Sequence, residues 1–254
     1  MRRIIVLGAA AAFAAIAVVG AGRGAHGDEP APKVEVVKIK TPRGATIEAT
    51  LHSPAKPNGT AVVLAPGQGY HRELPILEKS AEALAAAGFR ALRFDWAYTL
   101  SKGQPSDDLS AEREDLEAAL AHARALPGVT KVVLAGKSLG SSVAFARALE
   151  KSEDLAGLVL LTFPIHQPGG QPNPGVARFG EQAAPTLVVQ GAADPLGSLA
   201  ALYELASKAK NPPRVVVVPG DHSFAEKPDD VKGAENVDLA AHAVVVWVKR
   251  LAGS

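Results

Sequence analysis

Apolar and polar positions alternate with a period of two along Val34–Lys40 and again along Thr46–Leu51, on either side of Pro42, Arg43 and Gly44. That pattern predicts an antiparallel hairpin with a tight turn. Beyond it the pattern changes: Thr60–Leu64, Ala91–Phe94, Lys131–Ala135, Gly157–Thr162, Thr186–Gln190 and Arg214–Val218 are short and nearly continuously apolar. Strands covered on both faces read this way, because neither side meets water. Helical periodicity fills intervals near Leu74–Ala87, Ser110–Ala125, Leu139–Glu150, Ser198–Lys208 and Val237–Leu251, with Ser110 as the expected cap of the second and acidic residues behind it. Strand and helix in alternation predict an α/β architecture: a mostly parallel central sheet that carries an N-terminal antiparallel hairpin, with helices on both faces. One stretch breaks the rhythm. Phe163–Ala184 contains Pro164, Pro168, Gly169, Gly170, Pro172, Pro174 and Gly175, too many helix breakers for a helical lid, so any cap is minimal.

The chain is 254 residues long, enough for one domain with a substantial core, here expected over residues 34–254. Lys and Arg total 27 against 26 Asp and Glu, with no runs of either sign; such a surface has no field to hold a polyanion, and nucleic acid is not an expected partner. The N-terminus stands apart from the domain. Arg2 and Arg3 precede an apolar run over Ile4–Ala21, and Ala25, His26 and Gly27 offer small residues for cleavage, with a second possible cut after Ala21. Residues 1–27 therefore read as a secretory signal peptide followed by a linker, residues 28–33. An uncleaved membrane anchor is the alternative, and the abundance of weakly hydrophobic alanine favours the signal. Ile4 and Ile5 after the two arginines do not fit the twin-arginine route, which leaves general secretion. The expected location is periplasmic or secreted, in a bacterial setting, with membrane contact only if the segment stays attached. The sequence has no cysteine, which excludes a thiol nucleophile, a disulfide and a lipid-modified cysteine.

The run Lys131–Ala135 leads directly into Gly136-Lys137-Ser138-Leu139-Gly140. A G-x-S-x-G between strand and helix puts a serine on a tight turn with its hydroxyl exposed, and the two glycines let strand and helix approach. Ser138 is then a nucleophile at a helix N-terminus, where the Leu139 N–H is free to stabilise an oxyanion. A phosphate-binding loop ending in Gly136-Lys137-Ser138 would need a glycine at position 131, and Lys131 stands there. The residues that would complete a triad come later in order. Thr186–Gln190 leads to Asp194, and Arg214–Val218 leads to His222; one helix separates them, so their strands are expected side by side. His222 would be the general base and Asp194 the acid that orients it. Asp221 adjoins His222, and adjacent side chains in a turn seldom face each other. A second oxyanion donor is expected from the loop after the first parallel strand, Ala65-Pro66-Gly67-Gln68-Gly69-Tyr70, and is assigned to the Gln68 amide.

Those motifs resemble the α/β-hydrolase superfamily, and specifically its KANL/Tex-type branch, related to the dienelactone-hydrolase-like proteins. The likeness lies in Leu64–Gly67, Arg93 and Phe94 followed by an aromatic, Ala135–Gly140, Thr162–Gly169, Val189–Gly197 and Gly220–Ser223, so it spans most of residues 60–225. The stretch around His166 is its most distinctive part. The resemblance implies the α/β-hydrolase fold, Ser138, Asp194 and His222 in the roles above, and no cofactor. Two departures concern the pocket: Ser141 stands where a further glycine is common, and His71 and Arg72 extend the first loop differently.

Around the site, His166 either contacts substrate or is a loop histidine with no such role. Tyr70, His71, Trp96 and Tyr98 either line the mouth or pack its rim. His52, His122 and His242 are expected on element surfaces, and no helix carries a metal-ligand spacing, so no metal is expected. The function these readings support is an exported serine hydrolase acting through an acyl-enzyme on a small-molecule ester or thioester. Two alternatives stay open: a non-catalytic binding module on the same fold, and an acyltransferase with the same triad.

Overall fold

The chain enters the sheet through the expected hairpin, in which β1 (Lys33–Lys40) and β2 (Thr46–Ser53) pair antiparallel. Gly44 makes the reversal with φ of 81°, a left-handed conformation that a side chain would strain. The structure, a computed structural model, describes residues 30–168, 170–225 and 231–253; the signal segment and the first part of the linker lie outside them. After the hairpin come β3 (Thr60–Ala65), α1 (Pro75–Ala86), β4 (Arg90–Phe94), a single turn α2 (Ala97–Leu100), α3 (Ser110–Arg124), β5 (Lys131–Lys137), α4 (Leu139–Glu150), β6 (Gly157–Leu161), β7 (Thr186–Gly191), α5 (Leu199–Lys208), β8 (Arg214–Val218) and α6 (Val231–Ala252). The eight strands run in the order β1-β2-β4-β3-β5-β6-β7-β8. Pairing is parallel from β4 through β8, and β2 meets β4 antiparallel.

The strand order has one switch point. The chain steps from β3 to β4 on one side, then returns to place β5 on the other side of β3. The direction of winding reverses there, at the carboxyl ends of β3 and β5, where open α/β sheets place their sites. Ala65 ends one strand and Lys137, just before Ser138, ends the other.

Both faces of the sheet are covered, as the continuous apolar runs predict. Ala61, Val63, Leu134, Leu158 and Leu160 face α3 and α4, packing with Leu116, Leu120, Val143 and Phe145. The alternate residues Val62, Leu64, Val133, Val159 and Leu161 face α1 and α6, against Leu77, Leu84, Val244 and Trp247. Period-two alternation thus sorts one strand's residues into two cores.

Some details differ from the sequence reading. Ser110 is not the cap of α3. Leu109 holds that position with φ of 57° and no side-chain cap; Asp108 Oδ1 accepts from the Ser110 amide at 3.0 Å and Ser106 Oγ from the Ala111 amide at 3.2 Å. The satisfying groups sit upstream because Glu112 turns back to the Ser106 hydroxyl at 2.6 Å. Helix α6 begins six residues before the periodic pattern does, at Val231. Within the Pro/Gly-rich stretch, Pro174–Glu181 winds as a 3-10 helix.

His52 is also not on the surface. It is only 3% exposed on β2, and Arg93 Nε donates to its Nε2 at 3.1 Å. His122 is half-buried and His242 exposed. Burial, and after it the neighbouring Arg93 charge, hold the His52 imidazole below its usual 6.5. Between that lowered value and 6.5 the unfolded chain binds more protons than the folded one, so stability is full above the window and declines as pH falls through it. His52→Gln keeps an acceptor for Arg93 without the titration. Thermal melts are expected to show a steeper loss of stability on acidification from neutral pH in the wild type than in the variant; equal slopes would refute the assignment.

Candidate active site

Ser138 sits between the last residue of β5 and the first of α4, with φ 54° and ψ −117°. A non-glycine residue in that region is strained by about 1–3 kcal/mol and persists only where its surroundings enforce it. Here the two flanking glycines do so. A Cβ on Gly136 would lie 2.2 Å from the Gly140 carbonyl oxygen, and one on Gly140 would lie 2.5 Å from the carbonyl oxygen of Ala65. The Ser138 amide donates to Leu161 O at 3.0 Å. Its own carbonyl accepts from the Ser141 hydroxyl at 2.6 Å and from the amides of Ser141 and Ser142. Ser141, read from sequence as a departure, is therefore a fully buried clamp on the turn.

Asp194 and His222 leave the neighbouring strands β7 and β8 and meet Ser138. The Ser138 hydroxyl lies 2.8 Å from His222 Nε2, and His222 Nδ1 lies 2.9 and 3.0 Å from the two Asp194 oxygens. An ionised carboxylate only accepts, so Nδ1 carries the proton and Nε2 is left to accept from the serine. The Asp194 side chain has no exposure and that of His222 retains 18%. Asp194 also accepts from the Leu196 amide at 2.8 Å and from Gln190 Nε2 at 2.7 Å. Gln190 is fixed in turn, its Oε1 accepting from the Phe163 amide at 3.0 Å. Gly197 makes room for it, since a Cβ there would fall 2.2 Å from Gln190 Nε2. Asp221 instead accepts from the amides of Ser223 at 2.7 Å and Ala225 at 3.3 Å.

The loop after β3 closes the third side. A Cβ on Gly67 would meet Tyr70 Cδ2 at 3.0 Å and Ser138 Cβ at 3.3 Å, so only glycine lets this backbone lie against Ser138. Gln68 is the next residue in that turn, and Leu139 opens α4, where a helix has no internal acceptor for its first amides. The loop is pinned from below. Trp96 Nε1 donates to Pro66 O at 3.0 Å, and Arg93 Nη1 to Arg72 O at 2.8 Å. Asp95 accepts from the Arg72 amide at 2.6 Å and pairs with the Arg72 guanidinium. Burial raises the Asp95 pKa above the ordinary carboxylate value, against the pull of Arg72.

Trp96 therefore does not line the mouth; it is fully buried beneath the loop. Tyr70 is 37% exposed and, like Ser138, lies against Gly67. His166 is half-buried, and its amide donates to Leu196 O at 2.8 Å, which joins it to the loop of Asp194. The ligand atoms of His71, Glu73 and Asp95 lie within 4.8 Å of one another. The Arg72 guanidinium pairs with both Glu73 and Asp95, so a positive charge already occupies that cluster.

Sequence reasoning missed Lys137, Gln190 and the Arg72–Asp95 pair. Lys137 is 2% exposed, and its ammonium donates to the His222 carbonyl at 2.8 Å. A polar residue closing an apolar strand, as Lys137 closes β5 and Gln190 nearly closes β7, is the signal that was available.

Comparison with known proteins gives the family. A model described as an alpha/beta hydrolase domain matches residues 58–249, and the chain belongs to that family. Curated proteins give no match. Among solved structures, an alpha-beta serine hydrolase homologue from Coxiella burnetii is similar at 23% identity and a TM-score of 0.67, over 83% of this chain and 97% of that one. A dienelactone hydrolase from Anabaena variabilis is 22% identical with a TM-score of 0.69, over 86% and 98%. A serine hydrolase described as lacking a lid, from Xanthomonas campestris, is 21% identical with a TM-score of 0.65, over 85% and 95%. At these identities what is shared is the fold.

Gln190→Met keeps the side-chain volume and removes both the charge-assisted bond to buried Asp194 and the acceptor of the buried Phe163 amide. The expected result is a loss of at least about 1.5–3 kcal/mol in urea unfolding. Asp194→Asn should cost less in the Met background than in the wild type, and strictly additive effects would show that the two side chains are not coupled.

Proposed function

We propose that this alpha/beta hydrolase family member is an exported, cofactor-free serine hydrolase of small carboxylic esters or thioesters. The observation that carries the reading is the unbroken hydrogen-bonded line from the Ser138 hydroxyl through His222 to Asp194. In this mechanism Ser138 Oγ attacks the substrate carbonyl carbon as His222 Nε2 takes its proton. The carbonyl oxygen becomes an oxyanion held by the Leu139 and Gln68 amides. The tetrahedral centre collapses, the leaving group departs with the proton from His222, and an acyl group stays on Ser138. Water then gives a proton to His222 and attacks the acyl carbon; the acid leaves and Ser138 recovers its proton.

The buried Asp194 carboxylate stabilises the imidazolium formed in each half. Export rests on the basic, apolar and small-residue order of residues 1–27. A small substrate is supported by the modest insertion after β6, where the described residues add an eight-residue 3-10 helix, and by the likeness in fold to a dienelactone hydrolase. A binding module has no use for a strained serine whose proton is already shared with a histidine.

A fluorophosphonate probe tests this directly. Intact mass should show one adduct on the wild type and none on Ser138→Ala. His222→Ala should label slower by about a thousandfold or more, and p-nitrophenyl acetate turnover should fall in parallel. A folded wild type that takes up no probe would overturn the reading.

A further inference from the structure

A lysine has no obvious place beside the nucleophile. On β5 the alternation puts Lys137 in the same row as Val133 and Ala135, which belong to the core under α1 and α6. Its side chain is among the largest fully buried ones in the structure. Burying an ammonium is expensive unless it is hydrogen-bonded and faced by negative charge, and a methionine of similar length would fill the slot without that penalty. What the ammonium does there is visible in its contacts. It donates to the carbonyl oxygen of His222 at 2.8 Å, and it lies 5.8 Å from the centre of the Tyr70 ring, within cation–π range.

These contacts join the three loops of the site. Lys137 precedes Ser138, its acceptor belongs to His222 after β8, and Tyr70 comes from the loop after β3. The charged groups facing it are Asp194 after β7 and Asp221 after β8. The loop it holds is tightly wound, with positive φ at Gly220 (102°) and Phe224 (62°); its own bonds tie it to itself and to the loop after β7, and the Lys137 ammonium adds the tie to the nucleophile's strand.

We propose that Lys137 is a positioning residue: its ammonium, bonded to the His222 carbonyl and packed against Tyr70, holds the base-bearing loop in register with the nucleophile turn. The inference rests on the serine-hydrolase reading above. It has a consequence for pH. Burial pushes the Lys137 pKa down to about 8, against the opposing pull of Asp194 and Asp221, so the charge that strengthens the carbonyl bond and makes the cation–π contact is lost in a range where an ordinary lysine keeps it. A serine–histidine–aspartate site alone gives a rate that rises as the histidine loses its proton and then stays level. With Lys137 acting on the base, the rate falls again as pH rises through the lysine's value.

The test is the second-order rate of fluorophosphonate labelling of the full-length chain from about pH 6 to 10, in wild type, Lys137→Met and Lys137→Gln. The wild type should show an alkaline decline centred near 8. Lys137→Met should label about tenfold slower at neutral pH and lack the decline, a pattern that simple loss of folded protein does not produce. Lys137→Gln, which keeps a donor without the charge, should recover part of the rate and also lack the decline. A wild type labelled at Ser138 with a level profile to the alkaline end overturns the role of Lys137 alone, as does a Lys137→Met rate within twofold of wild type throughout. If Lys137→Met does not fold, the wild-type profile and Lys137→Gln decide. Folded wild type that takes no label overturns this inference together with the reading beneath it.

Discussion

The turn at Ser138 is the constraint around which the rest of the molecule is arranged. A serine held at φ 54° relaxes unless the chain on both sides is fixed, and the fixing is done by backbone contact. Gly136 touches Gly140, and Gly140 touches the carbonyls of Ala65 and Pro66. Each contact leaves no space for a methyl group. The Ser138 turn, the start of α4 and the loop after β3 are therefore one packed unit, at the point between β3 and β5 where the strand order reverses.

Around that unit the chain uses buried charge in place of apolar packing. Arg93 on β4 donates to the Arg72 carbonyl, to His52 and to Glu78. Asp95 holds the Arg72 amide, Trp96 the Pro66 carbonyl, and Lys137 the His222 carbonyl. The bonds to Arg72, Pro66 and His222 grip main-chain groups of site loops, and those to His52 and Glu78 hold the Arg93 guanidinium in place. Apolar contacts are non-directional and tolerate small slides, whereas a charged donor on a carbonyl fixes a position to a few tenths of an ångström. The desolvation penalty of Lys137 and Asp95 is offset only if each bond is made, which favours one arrangement of the loops over its neighbours.

That division explains what was legible in the sequence. The hairpin, the six later strands and the long helices were readable because they follow from period and apolarity, and the tight strand-to-helix turn at Ser138 because glycines mark it on both sides. Asp194 and His222 were found by order along the chain, and the structure brings both to Ser138. Trp96 and His52 escaped because their partners are distant in sequence, the Pro66 carbonyl for one and the Arg93 guanidinium for the other: Trp96 looked like an aromatic at a mouth, and His52 like a surface histidine. No local pattern shows that Arg93 lies next to His52, since β2 and β4 are joined only through the sheet. The cap of α3 was misplaced for a related reason, because Glu112 folds back onto Ser106 and draws the capping groups upstream of Ser110.

The same arrangement bears on how such a site would exclude wrong geometries. Enzymes that close a lid assemble their donors when substrate arrives. Here the loop after β3, the loop of His222 and the nucleophile turn are tied together by the protein's own groups, with Trp96, Arg93, Asp95 and Lys137 holding them from beneath. Preorganised donors need no reorganisation as charge develops on a substrate oxygen. Under the proposed hydrolase reading, selectivity would come from the exposed rim, where Tyr70 stands near Ser138, while the buried charges set the geometry common to every substrate.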